Sequence, residues 1–239
     1  MLARSELVHG TLVRRYKRFL ADVILDDGEA LTVHCPNTGS MRNCVEEGAE
    51  VWLSHSDNPK RKYAYTWELT RTSRGHTIGI NTGNANSLVA DAITQGRVSS
   101  LSADAGLRRE VTVGDSRVDI VLGEGIEQCF VEVKSVTLLE DPPSKSIGVF
   151  PDAVSERATK HVAELVRLVG EGYRAVLFFC VQHSGIREVR PGFHIDPVYA
   201  EALREAAGQG VEVLAMKARF GPGKPVLQRE LPVVLEPLT

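Results

Sequence analysis

Hydrophobic and polar positions alternate in short runs through the first eighty residues of the chain. The runs 8–15, 19–25, 31–34, 50–55, 65–70 and 76–80 are β-branched or alternating, the pattern of half-buried strands. Turn chemistry separates them, as in Asp26-Asp27-Gly28-Glu29, Asn37-Thr38-Gly39-Ser40 and Asp57-Asn58-Pro59. Five or six strands of that length predict a small β-barrel, OB-like among the choices. An SH3-like barrel or a small sandwich would give nearly the same string.

The period changes around Thr82. Gly83-Asn84-Ala85-Asn86-Ser87 reads as a linker ending in a helix cap, and 88–93 continues at helical spacing. Two or three strands follow between 109 and 136, then a loop over 140–146. A long helix is predicted over 153–170, with Val154, Ala158, Val162, Leu165, Val166 and Val169 as one apolar stripe. The run 175–181 is apolar throughout, so it reads as a buried strand parallel to a neighbour after the helical crossover. A helix over 197–207, closed by Gly208 and Gly210, and strands over 211–216 and 226–231 finish the chain. The expectation is an α+β protein of two domains: a small OB-like barrel over 1–82 and an α/β domain over 83–239.

Composition narrows the partners. Hydrophobic content of 43% and charged content of 25% over 239 residues are ordinary for a globular protein, and the net charge is -3. There is no global basic field of the kind a strong non-specific duplex binder carries, so contact with nucleic acid must come from local patches. Cys35, Cys44, Cys129 and Cys180 form no C-x-x-C pair and read as reduced thiols. The first twenty residues lack an apolar signal region and no apolar run is long enough to span a bilayer. A cytoplasmic protein with no membrane partner is expected.

Candidate chemistry sits in two apolar runs. Asp119 lies in Arg117-Val118-Asp119-Ile120-Val121-Leu122, and Glu132 and Lys134 lie in Phe130-Val131-Glu132-Val133-Lys134-Ser135. Alternate side chains of a strand share a face, so Glu132 and Lys134 point one way and Val131 and Val133 into a core. An antiparallel hairpin brings Asp119 beside Glu132. Two adjacent carboxylates repel unless a proton or a cation intervenes, and hard oxygen donors suit Mg²⁺ or Mn²⁺. Asp119, Glu132 and the Val133 carbonyl are the expected metal ligands, and Lys134 the group that orients a water or neutralises a phosphate. The bland alternative is an amphipathic hairpin with a solvated salt bridge. The element order α-β-β-β-α-β, with Asp on the second strand and Glu-x-Lys on the third, favours the PD-(D/E)xK restriction-endonuclease-like core. On that reading Gln182, at the end of the fourth strand, supports the site and Glu110 offers a third carboxylate. Lys160 and His161 on the long helix are placed to approach a phosphate backbone.

A second constellation is basic. Arg14, Arg15, Tyr16, Lys17 and Arg18 cluster across a predicted hairpin, and Lys60, Arg61, Lys62 and Tyr63 form a similar group. Cations beside aromatic faces are what single-strand binders use, although Trp67 reads better as core. In Cys35-Pro36-Asn37-Thr38-Gly39-Ser40-Met41, the amides and hydroxyls of Asn37, Thr38 and Ser40 are candidates to cradle a phosphate.

Four stretches resemble the bacterial sugar fermentation stimulation protein A family: 14–23, 34–41 around Pro36-Asn37-Thr38-Gly39-Ser40-Met41, 131–138, and 150–157 beginning Phe150-Pro151-Asp152-Ala153. The resemblance runs through nearly the whole chain in order. It implies an N-terminal OB-like domain, a C-terminal nuclease-like domain, non-specific DNA binding and a regulatory role in maltose metabolism. DNA is thus the expected partner, with RNA open and strand preference unresolved. Catalysis is an open expectation; the alternative is a DNA-binding regulator without turnover.

Overall fold

In the computed structural model, residues 2–114, 116–140 and 145–237 are described. Positions 141–144, which hold most of the loop expected over 140–146, lie outside them. Strands β1 (Val8–Tyr16), β2 (Leu20–Leu25), β3 (Ala30–His34), β4 (Glu50–His55), β5 (Tyr65–Arg71) and β6 (Thr77–Gly79) form one sheet in the order β3-β2-β1-β4-β5-β6. A further pairing of His34 on β3 with Thr66 on β5 closes the first five into a barrel, which decides for the OB fold over a sandwich. Leu12, Val33, Val51, Leu53 and Trp67 fill it, so Trp67 is core as expected.

The second unit begins with α1 (Ala85–Thr94). Its central sheet runs β15-β14-β12-β9-β8-β7, where β7 is Leu107–Val113, β8 Ser116–Leu122, β9 Cys129–Val136, β12 Arg174–Val181, β14 Glu212–Arg219 and β15 Val226–Glu230. The three central strands, β9, β12 and β14, are parallel. Helix α2 (Glu156–Gly170) joins β9 to β12 and α3 (Pro197–Gly208) joins β12 to β14. Apolar side chains line both faces: Val131, Val133, Val176 and Phe178 pack towards α1, while Phe130, Val136, Leu177 and Phe179 pack towards α2 and α3. This two-sided burial explains why 175–181 carries no polar alternation. A small sheet, β10 (Leu138–Leu139), β11 (Ile147–Phe150) and β13 (Glu188–Pro191), was not legible in the sequence because its short strands show no bounded alternation.

Helix α2 starts three residues later than its apolar pattern predicts. Ser155 caps it, its side chain accepting from the Ala158 amide at 3.2 Å. Val154 therefore falls outside the helix and is 74% exposed. The buried stripe is Ala158, Val162, Leu165 and Leu168, with Val166 and Val169 only partly covered. Asp196 caps α3 in the same way, with Pro197 in the first turn.

The two units are bolted together. The Gly79 amide donates to the Gln182 carbonyl at 2.8 Å, and Ile78 bridges His183. Barrel residues 40–44 reach across as well: Arg42 pairs with Glu140 at 2.9 Å, Asn43 donates to the Leu139 carbonyl and Cys44 to the Thr137 carbonyl. No described helix is long and apolar enough to cross a membrane.

Candidate functional site

The pairing of β8 with β9 is recorded from Leu122↔Cys129 to Ile120↔Val131 and goes no further. Asp119 and Glu132 are the next residues on each strand, so they stand where the ladder opens. The Val133 amide, freed from strand pairing on that side, donates to Asp119 Oδ2 at 2.8 Å. It is this amide, not the Val133 carbonyl, that is described against Asp119. Asn86, at the start of α1, donates to Asp119 Oδ1 at 2.7 Å and to Glu110 Oε1 at 3.1 Å. One amide nitrogen thus spans both carboxylates. Glu110 sits at a left-handed position (φ 54°) and is also paired with Arg117 at 2.9 Å.

Glu132 and Lys134 share the α2 face of β9, and that face is not solvent. Glu132 is 4% exposed. Its Oε1 accepts from Lys134 Nζ at 2.7 Å and lies against His161 Nδ1, which is itself 3.1 Å from Lys134 Nζ. Arg157 Nε donates to His161 Nε2 at 3.4 Å, so the ring is contacted on both nitrogens. A solvated surface salt bridge is excluded by this burial.

The two carboxyls are driven apart electrostatically. Burial, and then the charge of Glu132, push the Asp119 carboxyl above its ordinary range, against the hydrogen bonds from Val133 and Asn86. Burial raises Glu132 too, but His161 and Lys134 together outweigh it and hold its carboxyl below the ordinary range. Lys134 is hydrogen-bonded to Glu132 and acts on Asp119 only as the smallest of its influences. Among the described residues no three His, Cys, Asp or Glu side chains close into a metal cage.

The remaining predicted residues divide. Gln182 is buried but faces away from Lys134: its amide donates to Ser135 Oγ at 2.9 Å and its Oε1 packs against Gly79 at the domain junction. Lys160 is exposed, whereas its neighbour His161 turns inward. Arg15 is a strut rather than a free cation, its guanidinium bonded to the carbonyls of Arg18, Asn37 and Gly39 at 2.7–3.0 Å. The Gly39-Ser40-Met41 turn is already filled: Ser40 Oγ and the Met41 amide both bind Asp152 Oδ2, at 3.2 and 3.4 Å. A Cβ at Gly39 would collide with that carboxylate. Asn37 is buried and Thr38 exposed.

Arg14 pairs with Asp22 at 2.8 Å and lies over the Tyr16 ring, but its side chain remains 65% exposed. Lys17 and Arg18 both take left-handed backbone (φ 50° and 64°) at the exposed β1–β2 tip, next to Phe19, which is 46% exposed. Lys60, Arg61 and Lys62 are exposed in the β4–β5 loop, with Arg61 Nη2 donating to Thr66 at 2.7 Å. Pairing of Leu20 with His34, and of His34 with Thr66, puts both loops at one end of the barrel.

Two residues escaped the sequence reading of the acidic site. Asn86 looked like part of a linker, because a polar residue at a helix start is ordinarily a cap. His161 was assigned to phosphate contact, although its place three residues after Ala158 and one before Val162 puts it on the edge of the buried stripe. That spacing was the available signal.

Comparison with known proteins agrees with this architecture. A family model described as the sugar fermentation stimulation protein RE domain matches residues 83–224, and one described as the SfsA N-terminal OB domain matches residues 13–80. A sugar fermentation stimulation protein homolog of Shewanella loihica is 54% identical over 229 residues, 95% of this chain and 96% of that protein. One from Teredinibacter turnerae is 54% identical over 237 residues, covering 98% and 100%. The solved structure of Pyrococcus furiosus SfsA in complex with Ca²⁺ superposes with a TM-score of 0.83 at 25% identity, over 95% of this chain and 96% of that one. An OB barrel joined to a restriction-endonuclease-like domain, matched along nearly the whole sequence, places the chain in the sugar fermentation stimulation protein (SfsA) family.

Proposed function

We propose that the protein binds DNA through its barrel and hydrolyses phosphodiesters at Asp119, Glu132 and Lys134 with a divalent cation. The observation that carries this reading is the buried meeting of Asp119 with Glu132 where β8 and β9 part. Holding two carboxylates together under a helix is costly unless a cation joins them.

The donor set fits a hard divalent ion, Mg²⁺ or Mn²⁺ by choice. Asp119 is the acid whose charged form burial and Glu132 disfavour, and every hydrogen bond described for Glu132 goes to Oε1. These two residues would hold the metal, with Val133 at the same place on β9; Glu110 lies across Asn86 from Asp119. The Ca²⁺ of the Pyrococcus furiosus relative supports a divalent ion in this fold. A metal there would acidify a water and offset charge on the phosphate. The chain's own residues do the rest. Asn86 and the Val133 amide fix the Asp119 carboxylate, His161 fixes the Glu132 carboxylate, and Lys134 donates hydrogen bonds to the phosphate or to the attacking water. Arg14, Lys17, Arg18, Lys60, Arg61 and Lys62 track the backbone, and Phe19 offers a stacking face, as loops at that end of OB folds do.

A second reading keeps DNA binding, and with it a regulatory role in sugar metabolism, without turnover. It is favoured by one contact: Lys134 already pairs with Glu132, and His161 lies against the same oxygen, without a metal. Incubation with labelled single- and double-stranded DNA in Mn²⁺, Mg²⁺, Ca²⁺ or EDTA, beside Asp119→Ala and Lys134→Ala, separates the two. Cleavage that needs metal and falls at least ~100-fold in both variants, with affinity within about threefold, is the expected outcome. Undiminished cleavage by Lys134→Ala would sink the mechanism. Binding without products in any metal would leave the regulatory reading. Competition by RNA tests whether the 2′-hydroxyl is tolerated.

A further inference from the structure

The two units enclose a cavity of about 370 Å³, lined by Asn37 and Thr82 on one side and by Ser135, Thr137, Phe150 and Asp152 on the other. It holds nearly buried polar groups that the fold does not use. Asn37 is 5% and Thr137 6% exposed. Asn37 Oδ1 accepts from the Gly39 amide at 2.9 Å, but its Nδ2 and the Thr137 hydroxyl have no protein partner among the described residues. Asp152 spends Oδ2 on Ser40 and Met41 and leaves Oδ1 open. Ser135 Oγ accepts from Gln182, so its own proton remains to be donated. None of these atoms is sealed from solvent, so water reaches them through the mouth of the cavity and a ligand can displace it.

The lining also says what the ligand is not. Among the described residues no Lys or Arg lines the cavity, and the charged one is Asp152. A phosphate or carboxylate would be repelled; a neutral molecule rich in donors and acceptors would be held. A volume of 370 Å³ sits near the low end of the ~300–1,000 Å³ typical of small-molecule sites, room for one ring-and-sugar unit. Ser135, and Thr137 just past the strand end, leave β9 on the face opposite Glu132 and Lys134, and the strand edge between the two faces is unpaired where β8 parts from it, beside Asp119. Thr82 lies four residues before Asn86, the residue bonded to Asp119.

Building on the nucleic-acid reading above, we infer that this interdomain cavity is a nucleoside subsite. It takes one unstacked base with its sugar, while the phosphate of that nucleotide stays outside, at Asp119, Glu132 and Lys134. Asn37 Nδ2 and the Ser135 and Thr137 hydroxyls donate to the ligand, and Asp152 Oδ1 accepts from it. Enzymes that act on nucleic acid commonly take a nucleotide out of the stack in this manner.

The test uses the full chain, with Thr137→Val, which removes one hydroxyl, and Ala153→Trp, which fills the cavity from its exposed rim. Thermal unfolding first confirms that both variants fold. A short single strand carrying 2-aminopurine at successive positions is then titrated with each protein. A fluorescence rise at one position with the parent, reduced at least about threefold in both variants, supports the subsite. Equal rises at every position in all three proteins overturn it while leaving barrel binding intact. Should the strand not bind at all, the nucleic-acid reading fails, and saturation-transfer NMR with free deoxynucleosides still decides the cavity. Transfer lost in Thr137→Val supports the subsite. No transfer, or transfer from maltose alone, overturns it.

Discussion

Asp119 carries the sharpest chemical statement in the molecule. Its carboxyl is raised above the ordinary 3.8 by burial and by Glu132, so the folded chain holds that proton more tightly than the unfolded one. The group therefore adds stability below 3.8 and loses it as pH rises through the raised folded value. Above that value a divalent cation can take the proton's place. Excess Ca²⁺ or Mg²⁺, at about a hundredfold its Kd, should then stabilise the protein by about 2.7 kcal/mol, a shift of several degrees in Tm at pH 8. The shift should shrink towards pH 4 and vanish in Asp119→Ala. An equal shift in that variant would move the metal elsewhere. Glu132 has the opposite sign: its lowered carboxyl adds stability above the ordinary 4.5, lost as pH falls through the folded value. At this scale the sequence showed which residues bear charge within apolar runs. It did not show Asn86 or His161, because a polar residue at a helix start or on a helix flank usually meets only water.

At the scale of elements, the site depends on α2 being held against β9. Helix α2 carries His161 to Glu132 through its buried stripe of Ala158, Val162, Leu165 and Leu168. Leu165→Ala should cost about 2–5 kcal/mol in urea denaturation. It should also lower divalent affinity measured by calorimetry, since the helix that orients Glu132 loses its seat. A loss of stability with unchanged metal affinity would show that His161 does not position Glu132. The strands and helices were legible where turn residues bounded an alternating or periodic run, which marked even the short β3 and β6. Strands β10, β11 and β13, of four residues or fewer, had no such alternation and were not read as strands. The start of α2 was misplaced because Val154 continues the apolar spacing, although the Ser155 cap fixes the boundary.

At the scale of the whole molecule, the junction between barrel and nuclease-like unit holds a buried histidine whose protonation opposes folding. His183, bridged to Ile78 and in ring contact with His76, is pulled down to about 3 by burial and by His76. A histidine depressed in the folded state contributes stability that is complete above its ordinary 6.5 and lost as pH falls from there towards the folded value. The junction should weaken on the order of a few kcal/mol between pH 6.5 and 3, read as a falling urea midpoint. His183→Leu should flatten that slope, while lowering stability at pH 7 because the Gly185 amide loses its acceptor. An unchanged slope would place the acid sensitivity elsewhere. The same scale places Gln182 and Arg15: Gln182 faces the junction at Ser135 and Gly79, and Arg15 ties the 37–39 loop to the β1–β2 tip. The barrel strands, the parallel core and the charged positions Asp119, Glu132 and Lys134 can be read along the chain, because period and charge within an apolar run are local properties. That β8 and β9 part at Asp119, that Asp152 fills the Gly39 turn and that a polar cavity opens between the domains emerges only on folding. The first rests on Asn86 and the Val133 amide meeting Asp119; the other two arise where barrel and nuclease-like unit meet, as in the contact of Ser40 with Asp152, 112 residues apart, and no local pattern encodes the meeting.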